Sequence, residues 1–404
     1  MGTGRGVQWV LYVSLFQVML GFGVVVPILP YFAQELGASA FQMGLTITVW
    51  AGAQFLFSPL WGSLSDRIGR RPVLLIGLAG YSITFGLMAA APNIWVVMLA
   101  RFLGGILSAA TIPTAQAYTA DISEGEDRAS RIAGMGAAMN LGFMSGPALG
   151  GLLATLGLGY RGSFLAAAAM GLVNLLLALL ILPEPPHRRV SSAQKGLSGL
   201  QAVGVALSSA EALLFVLAFA ASFGGSQLFS MLGYFLQEQL QAGPGLLSVA
   251  LTVQAVSSFL FQVALVGPVS RSFQAEKVVS AALVVSSLGF ALLASAHSIP
   301  RVMAAVVLVA AGLAFVRPLI TAILSDRTRL DQGMAMGIQV AFDALGRTLG
   351  PAWAGAVFLW RSWAPFASAG AACLLFFGIT WWVWHRPQPV PRHRTVPNEK
   401  PPAG

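Results

Sequence analysis

Apolar runs long enough to cross a bilayer, each closed by a polar break, fill almost the whole of this 404-residue chain. A spanning helix needs about 20 apolar residues at roughly 1.5 Å of rise each. Twelve stretches qualify: 7–33, 41–62, 73–91, 94–118, 130–156, 162–182, 210–236, 245–267, 277–296, 301–323, 333–358 and 363–384. The longest polar break runs from Pro183 to about Ser209. It holds Glu184, Pro185, Pro186, His187, Arg188, Arg189 and Lys195 among serines and glycines, the composition of an exposed linker. Six apolar runs precede it and six follow. The predicted organisation is a six-helix bundle over 1–183, a cytoplasmic linker over 184–209, a second six-helix bundle over 210–385 and a cytoplasmic tail over 386–404.

The two halves repeat one another. Leu141, Gly142, Gly146, Pro147 and Gly151 have counterparts 204 residues later in Leu345, Gly346, Gly350, Pro351 and Gly355. At an offset of 205, Phe85, Ala91, Met98, Pro113 and Asp121 match Phe290, Ala296, Met303, Pro318 and Asp326. The third to fifth spans thus correspond to the ninth to eleventh. A membrane chain built of two similar halves predicts an all-α fold of two pseudo-symmetric bundles. It points to a transporter whose substrate lies between them.

Composition agrees. The chain is 56% hydrophobic and 9% charged, with a mean hydropathy of +0.77, where a soluble chain carries roughly 25% charged residues. Lipid is therefore the expected solvent. A net charge of +9 could suggest nucleic acid, but the basic residues sit in short loops and tails. Seventeen of the 23 Lys and Arg fall on the side of both termini; Arg161, Arg301 and Arg361 lie on the other side, and Arg101, Arg317 and Arg347 lie within spans. That asymmetry predicts cytoplasmic termini and no nucleic-acid partner. Cys373 is the single cysteine, so no intrachain disulfide forms. No small-residue cleavage site follows the first apolar run, which reads as a retained helix. No phosphate-binding Gly-x-x-x-x-Gly-Lys-Ser/Thr loop occurs. His187, His297, His385 and His393 are widely spaced near loops or tails. No enzyme activity, cofactor or metal site is expected.

Motifs sharpen this. The segment Gly62-Ser63-Leu64-Ser65-Asp66-Arg67-Ile68-Gly69-Arg70-Arg71-Pro72 places glycines for a tight turn at the membrane surface and alternating charges that can clip helix ends together. It closely resembles the signature loop of the major facilitator superfamily. The second-half counterpart, Gly267-Pro268-Val269-Ser270-Arg271, is degenerate. On the fifth span, Gly142, Gly146, Pro147, Gly150 and Gly151 resemble the glycine–proline element of twelve-span proton-coupled drug antiporters. Small residues four apart allow close helix approach, and the proline adds a bend or hinge. On the fourth span, Arg101-Phe102-Leu103-Gly104-Gly105 resembles a third element of that family, with Gly104 where a polar residue is usual. The resemblance implies that Arg101 faces the cavity and takes part in proton coupling. It also implies that Asp121 pairs with a basic residue of the signature loop, here Arg70.

Charges within the membrane are expensive. Asp343 on the eleventh span is the one acid well inside a span, about 15 Å along the helix from Gly333 and so near the midplane. Arg347 follows one turn later on the same face, and Arg317 on the tenth span reaches a similar depth. Two readings stand: Asp343 carries the transported proton and exchanges its arginine partner during the cycle, or it forms a permanent structural ion pair. The first span offers Gln17 where many drug antiporters have an acid. The remaining polar groups include Gln17, Gln54, Asn140, Gln227, Gln254 and Gln339, some expected to line the cavity with aromatics such as Phe143 and Phe342.

The resulting expectation is a secondary transporter of the bacterial inner membrane. It would export amphipathic small molecules, in the manner of multidrug efflux, in exchange for protons, and act as a monomer. Three arginines against one acid in the membrane core favour a variant in which the substrate is anionic or zwitterionic, such as a siderophore or lipid-linked sugar. A receptor or scaffold that has lost transport is the alternative from another class.

Overall fold

The computed structural model describes residues 3–123, 125–153, 159–185, 204–205, 209, 211–328 and 332–384. Most of the linker and the whole tail predicted from sequence lie outside these residues.

Helices account for nearly all of it. The first half comprises α1 (Thr3–Glu35), α2 (Ala40–Ile68), α3 (Arg70–Ala90), α4 (Ile94–Ser108), α5 (Thr111–Asp121), α6 (Gly125–Leu153) and α7 (Gly159–Ile181). The second comprises α8 (Ala212–Leu240), α9 (Pro244–Phe261), a π-helical segment (Gln262–Val266), α10 (Gly267–Ser272), α11 (Ala275–Ala294), α12 (Ile299–Arg327), α13 (Gln332–Phe358) and α14 (Ala364–Trp384). Helices α4 and α5 form one broken span, as do α9, the π-segment and α10. Ten helices or helix runs among the described residues are apolar and long enough to cross a membrane. Helices α6 and α13, at 29 and 27 residues, are long enough but too rich in glycine and polar groups to be among them. They are the repeat partners that carry the glycine–proline segments.

The signature segment is less of a loop than its sequence suggests. Helix α2 continues through Gly62 to Ile68, and a side chain at Gly62 would meet nothing. The turn is made by one residue, Gly69, at φ 105°. That backbone is open to glycine at little cost.

Helix packing explains the internal repeat. In lipid, helices gain little by hiding apolar surface and associate by close contact. A Cβ on Gly146 would stand 2.7 Å from Leu20 O, and one on Gly150 2.7 Å from Val24 O, both on α1. In the second half a Cβ on Gly346 would stand 2.8 Å from Phe223 N, and one on Gly350 2.7 Å from Phe223 O, both on α8. The α1–α6 and α8–α13 crossings are thus the same contact made twice.

Among the described residues three apolar clusters fill the interior. The face bearing the first turns of α1, α3 and α6 and the Gly69 turn is termed the loop face, the opposite one the far face. On the far side a single cluster draws on both halves, from Val24, Phe32 and Met43 to Leu232, Phe235 and Leu251. On the loop side the clusters are separate: Val7, Leu11, Leu74 and Tyr118 in the first half, Phe215, Leu283, Ile320 and Phe342 in the second. The halves therefore join at the far face and part toward the loop face. Reciprocal bonds reinforce the join: Tyr31 Oη donates to Ala242 O at 3.1 Å, and Tyr234 Oη to Ala38 O at 3.3 Å. Thr48 Oγ1 adds a bond to Thr348 O at 2.8 Å.

The packing generates a prediction. Gly146→Val forces a branched side chain into the α1 backbone and should cost at least about 1–3 kcal/mol, read as a lowered melting temperature of the purified protein in detergent. Gly136→Val, at a position on the same helix where a Cβ meets nothing, should melt like the wild type. Equal melting of the two variants would refute the close-approach role of Gly146.

Candidate functional site

Two groups of charged side chains stand out, one at the loop face and one within the second bundle. The loop-face group centres on Arg70, which is buried. Its Nη1 lies 2.6 Å from Asp66 Oδ1 and donates to Ser65 Oγ at 2.6 Å. Its Nε donates to Asp121 Oδ2 at 3.0 Å. One guanidinium thereby ties α2, α3 and α5, its planar fork suiting several acceptors at once. Arg67 is exposed and makes no comparable tie.

A further member of this group was not visible in the sequence. Glu184, placed by composition at the start of a free linker, accepts from the backbone N–H of Arg70 at 2.6 Å and of Arg71 at 3.1 Å. These are the first two amides of α3, whose N-cap, Gly69, has no side chain to offer. A carboxylate there is favoured by the open amides and by the helix dipole. Gly69 is needed a second time, because a Cβ would stand 2.6 Å from Glu184 Oε1. Tyr118 Oη donates to Pro183 O, and Arg71 Nη2 to Leu179 O at 2.9 Å. The end of α7 is thus fastened to the signature turn. Only the 114-residue separation closed by the fold brings Glu184 there.

The second group lies between α8, α12 and α13. Asp343 is 1% exposed. Arg317 Nε stands 3.0 Å from its Oδ2, and the Arg317 side chain is 58% exposed. Ser222 on α8 donates to Oδ1 at 2.8 Å. The Oδ2 contact is an ion pair without a well-directed hydrogen bond. So the carboxylate is held by one charge reachable by water and one hydroxyl. Arg347, one turn on, is exposed and within electrostatic range of both Arg317 and Asp343, but the direct contact goes to Arg317. Ser222 sits among small residues in an apolar run, and nothing in the sequence distinguishes it.

The amides divide. Gln339 is buried and exchanges bonds with Thr321, and Gln227 accepts from Ser368. Both serve contacts within the second half. Phe342 packs on Phe215 in the core, ring centroids 6.0 Å apart. Gln17 and Gln254 are buried with unpartnered amide atoms, Gln54 is half-buried, and Asn140 is exposed. Phe143 stacks on Phe22 at 5.9 Å and meets Phe229 of the second half at 5.7 Å. Arg101 is buried on α4 with its guanidinium over Trp50, 5.0 Å from the ring centroid. It belongs to the first half and the Asp343 group to the second.

The Asp343 geometry fixes the stability of its variants. Arg317→Ala leaves a buried carboxylate with only a hydroxyl partner and should destabilise the protein by about 1–2 kcal/mol, the exposure of Arg317 keeping the figure low. Arg317→Ala combined with Asp343→Asn should recover most of that loss, because no orphan charge remains. Thermal melting of the two singles and the double gives the coupling; additive losses would mean the pair is not energetically linked.

Comparison with known proteins follows the same lines. The profile of the Major Facilitator Superfamily matches residues 11–241 and 214–403. The chain is 28% identical over 354 residues to the quinolone resistance protein NorA of Staphylococcus aureus, covering 87% of this chain and 89% of that protein. It is 27% identical over 383 residues to multidrug resistance protein 2 of Bacillus subtilis, covering 93% and 94%. Its fold matches that of the human organic anion transporter MFSD10, with a TM-score of 0.66 at 23% identity over 94% of this chain and 100% of that one. It matches the nucleoside transporter NupG at 0.77 and 15% identity, over 93% and 98%. A bacterial homologue of the human lysosomal transporter Spinster gives 0.76 at 16% identity, over 94% and 96%. The chain belongs to the major facilitator superfamily: it is a multi-pass membrane transporter, not an enzyme.

Proposed function

We propose that the protein is a proton-coupled exporter of amphipathic small molecules that works as a monomer by alternating access in the bacterial plasma membrane. Both termini and the Gly69 turn lie in the cytoplasm. The observation that carries this reading is Asp343: a carboxylate at membrane depth, almost wholly buried, whose ion-pair partner Arg317 is exposed. A carboxylate so placed is costly unless paired. A change of partner during the cycle would let it take up and release a proton. The printed names of the relatives, quinolone resistance and multidrug resistance proteins, support export of drug-like compounds.

The arrangement of the clusters supports alternating access. Bundles 1–183 and 210–385, linked by 184–209, are the moving bodies. With the loop face cytoplasmic, the present arrangement is inward-facing, held shut at the far face by the shared cluster and the Tyr31 and Tyr234 bonds. Opening the far face requires those bonds to break and the loop-side halves to meet. The Arg70 group then bears on the cytoplasmic closure, with Gly142, Gly146, Pro147, Gly150 and Gly151 setting how α6 rides on α1.

Two measurements test this. In reconstituted vesicles under an imposed pH gradient, Asp343→Asn should lose gradient-driven export of a fluorescent drug by at least roughly tenfold while melting as a folded protein. Wild-type rates in that variant would return Asp343 to a purely structural role. For the gate, Tyr31→Phe with Tyr234→Phe removes two hydroxyl bonds worth together about 1–3 kcal/mol. It should raise labelling of an Ala40→Cys reporter from the far face several-fold, against a low background because Cys373 is buried. Unchanged labelling would show that these bonds do not hold the gate.

A further inference from the structure

The two partners of Asp343 are tied to it in different ways. Ser222, on α8, donates to Oδ1 at 2.8 Å. Helix α8 is locked to α13 at this level: a Cβ on Gly346 would stand 2.9 Å from Ser222 Cβ and 2.8 Å from Phe223 N. Residues three apart share a helix face, so the missing side chain at Gly346 is what lets the Ser222 hydroxyl reach Asp343. One turn further along α8, Ser226 bonds to Gly346 O at 3.3 Å. Ser222 therefore travels with the carboxylate in any movement that keeps the second bundle intact.

Arg317 is held more loosely. It reaches Oδ2 from α12 at 3.0 Å, with its side chain 58% exposed. Among the described residues no glycine brings α12 against α13; Gly312 of α12 packs on Ser286 of α11 instead. An exposed guanidinium gives up little when it turns from its partner to water. No other charge stands ready to replace it from a neighbouring helix. In α2, α8, α12 and α14, which pack on α13, the remaining charged residues are Asp66, Arg67, Glu238, Arg301, Asp326 and Arg327, all near helix ends. Tyr234 and Cys373 belong to the far-side cluster. Arg347, on α13 itself, leaves the direct contact to Arg317. Oδ2 is thus the oxygen whose partner can leave, and Oδ1 the one whose partner stays.

We infer that Ser222 is a positioning residue that decides which oxygen of Asp343 takes the transported proton. Oδ1 keeps the hydroxyl throughout, and the proton binds Oδ2 in place of Arg317. This rests on the proton-coupled reading above and assigns its proton to one atom. When Arg317 withdraws, an Oδ2–H bond forms with a proton from water, and Oδ1 becomes the carbonyl oxygen. When Arg317 returns, that bond breaks, the proton passes to water and the ion pair is restored. The guanidinium stays charged at every stage. A hydroxyl suits the fixed position because it donates equally to a carboxylate and to a carbonyl oxygen, so neither state leaves a buried acceptor without its bond.

Infrared difference spectra of the purified full-length protein in lipid, taken between acidic and alkaline buffer, read this directly. The C=O stretch of a protonated carboxyl falls when its carbonyl oxygen accepts a hydrogen bond. The band that Asp343→Asn removes should move to higher wavenumber in Ser222→Ala. It should move less in Ser222→Cys, whose thiol is a weaker donor of similar shape. Alanine is smaller and a good helix former, so the first variant should fold; the cysteine variant carries the test should it not. In vesicles under a pH gradient, Ser222→Ala should lower kcat for export of a fluorescent drug by roughly tenfold with KM unchanged. A band that stays in place in the Ser222 variants, or a raised KM with unchanged kcat, overturns the role of Ser222 and leaves Asp343 as the proton carrier. If Asp343→Asn removes no band, Asp343 takes up no proton, and the coupling reading falls together with this inference.

Discussion

The contact on which the rest of this molecule depends is the near-touching of backbones where α6 crosses α1 and α13 crosses α8. In water such helices would be driven together by their apolar faces. In lipid that force is absent, and contact area, close approach and satisfied polar groups decide. Glycines at 142, 146 and 150, and again at 346 and 350, remove the side chains that would hold these helices apart. Because each crossing lies within one half, each half gains a firm centre of its own. The junction between halves is one-sided: a shared cluster, a few bonds and the close approaches of Gly44 to Pro351 and Gly355 to Ala40 at one face, and separate clusters at the other. Firm bodies with a one-sided junction are the arrangement that a rigid-body movement of one half against the other would need.

The same low dielectric governs the charges. Each buried charge needs an answer, and the answers differ by place. At the loop face Arg70 is surrounded by acceptors, and Glu184 adds a carboxylate to the open end of α3. That group is fully engaged and sits where helix ends must be fastened. In the second bundle Asp343 has one charge and one hydroxyl, and its cation is open to water. It is a weaker and more changeable arrangement. In the first bundle Arg101 rests on an aromatic face alone.

The repeat and its violations are equally informative. Packing residues obey it: the glycines and prolines of α6 and α13, and Tyr31 with Tyr234, which each bond to a carbonyl near the start of the other half's second span. The charges within the spans, Arg101, Arg317, Asp343 and Arg347, break it. Duplication supplies a symmetric scaffold because packing must work in both halves, whereas a buried charge is costly and is not needed twice.

The sequence by itself determined the membrane class, the helical composition, the two-fold repeat and the identities of the chargeable groups within the spans, because these follow from hydropathy, spacing and composition along one dimension. It named Arg70 with Asp121 as partners from resemblance, and from depth it offered Arg317 and Arg347 as the two candidates for Asp343. It misjudged the signature segment as a loop from Gly62 onward, since glycine lowers helix propensity without forbidding a helix that neighbours hold in place. It could not find Ser222 or Glu184, one unremarkable among small residues and the other lost in a polar break. Nor could it show which of Arg317 and Arg347 reaches Asp343, or that Arg101 has no acid beside it. Those matters depend on which side chains from distant helices arrive within about 3 Å of one another. Only the packing of the helices in three dimensions decides that.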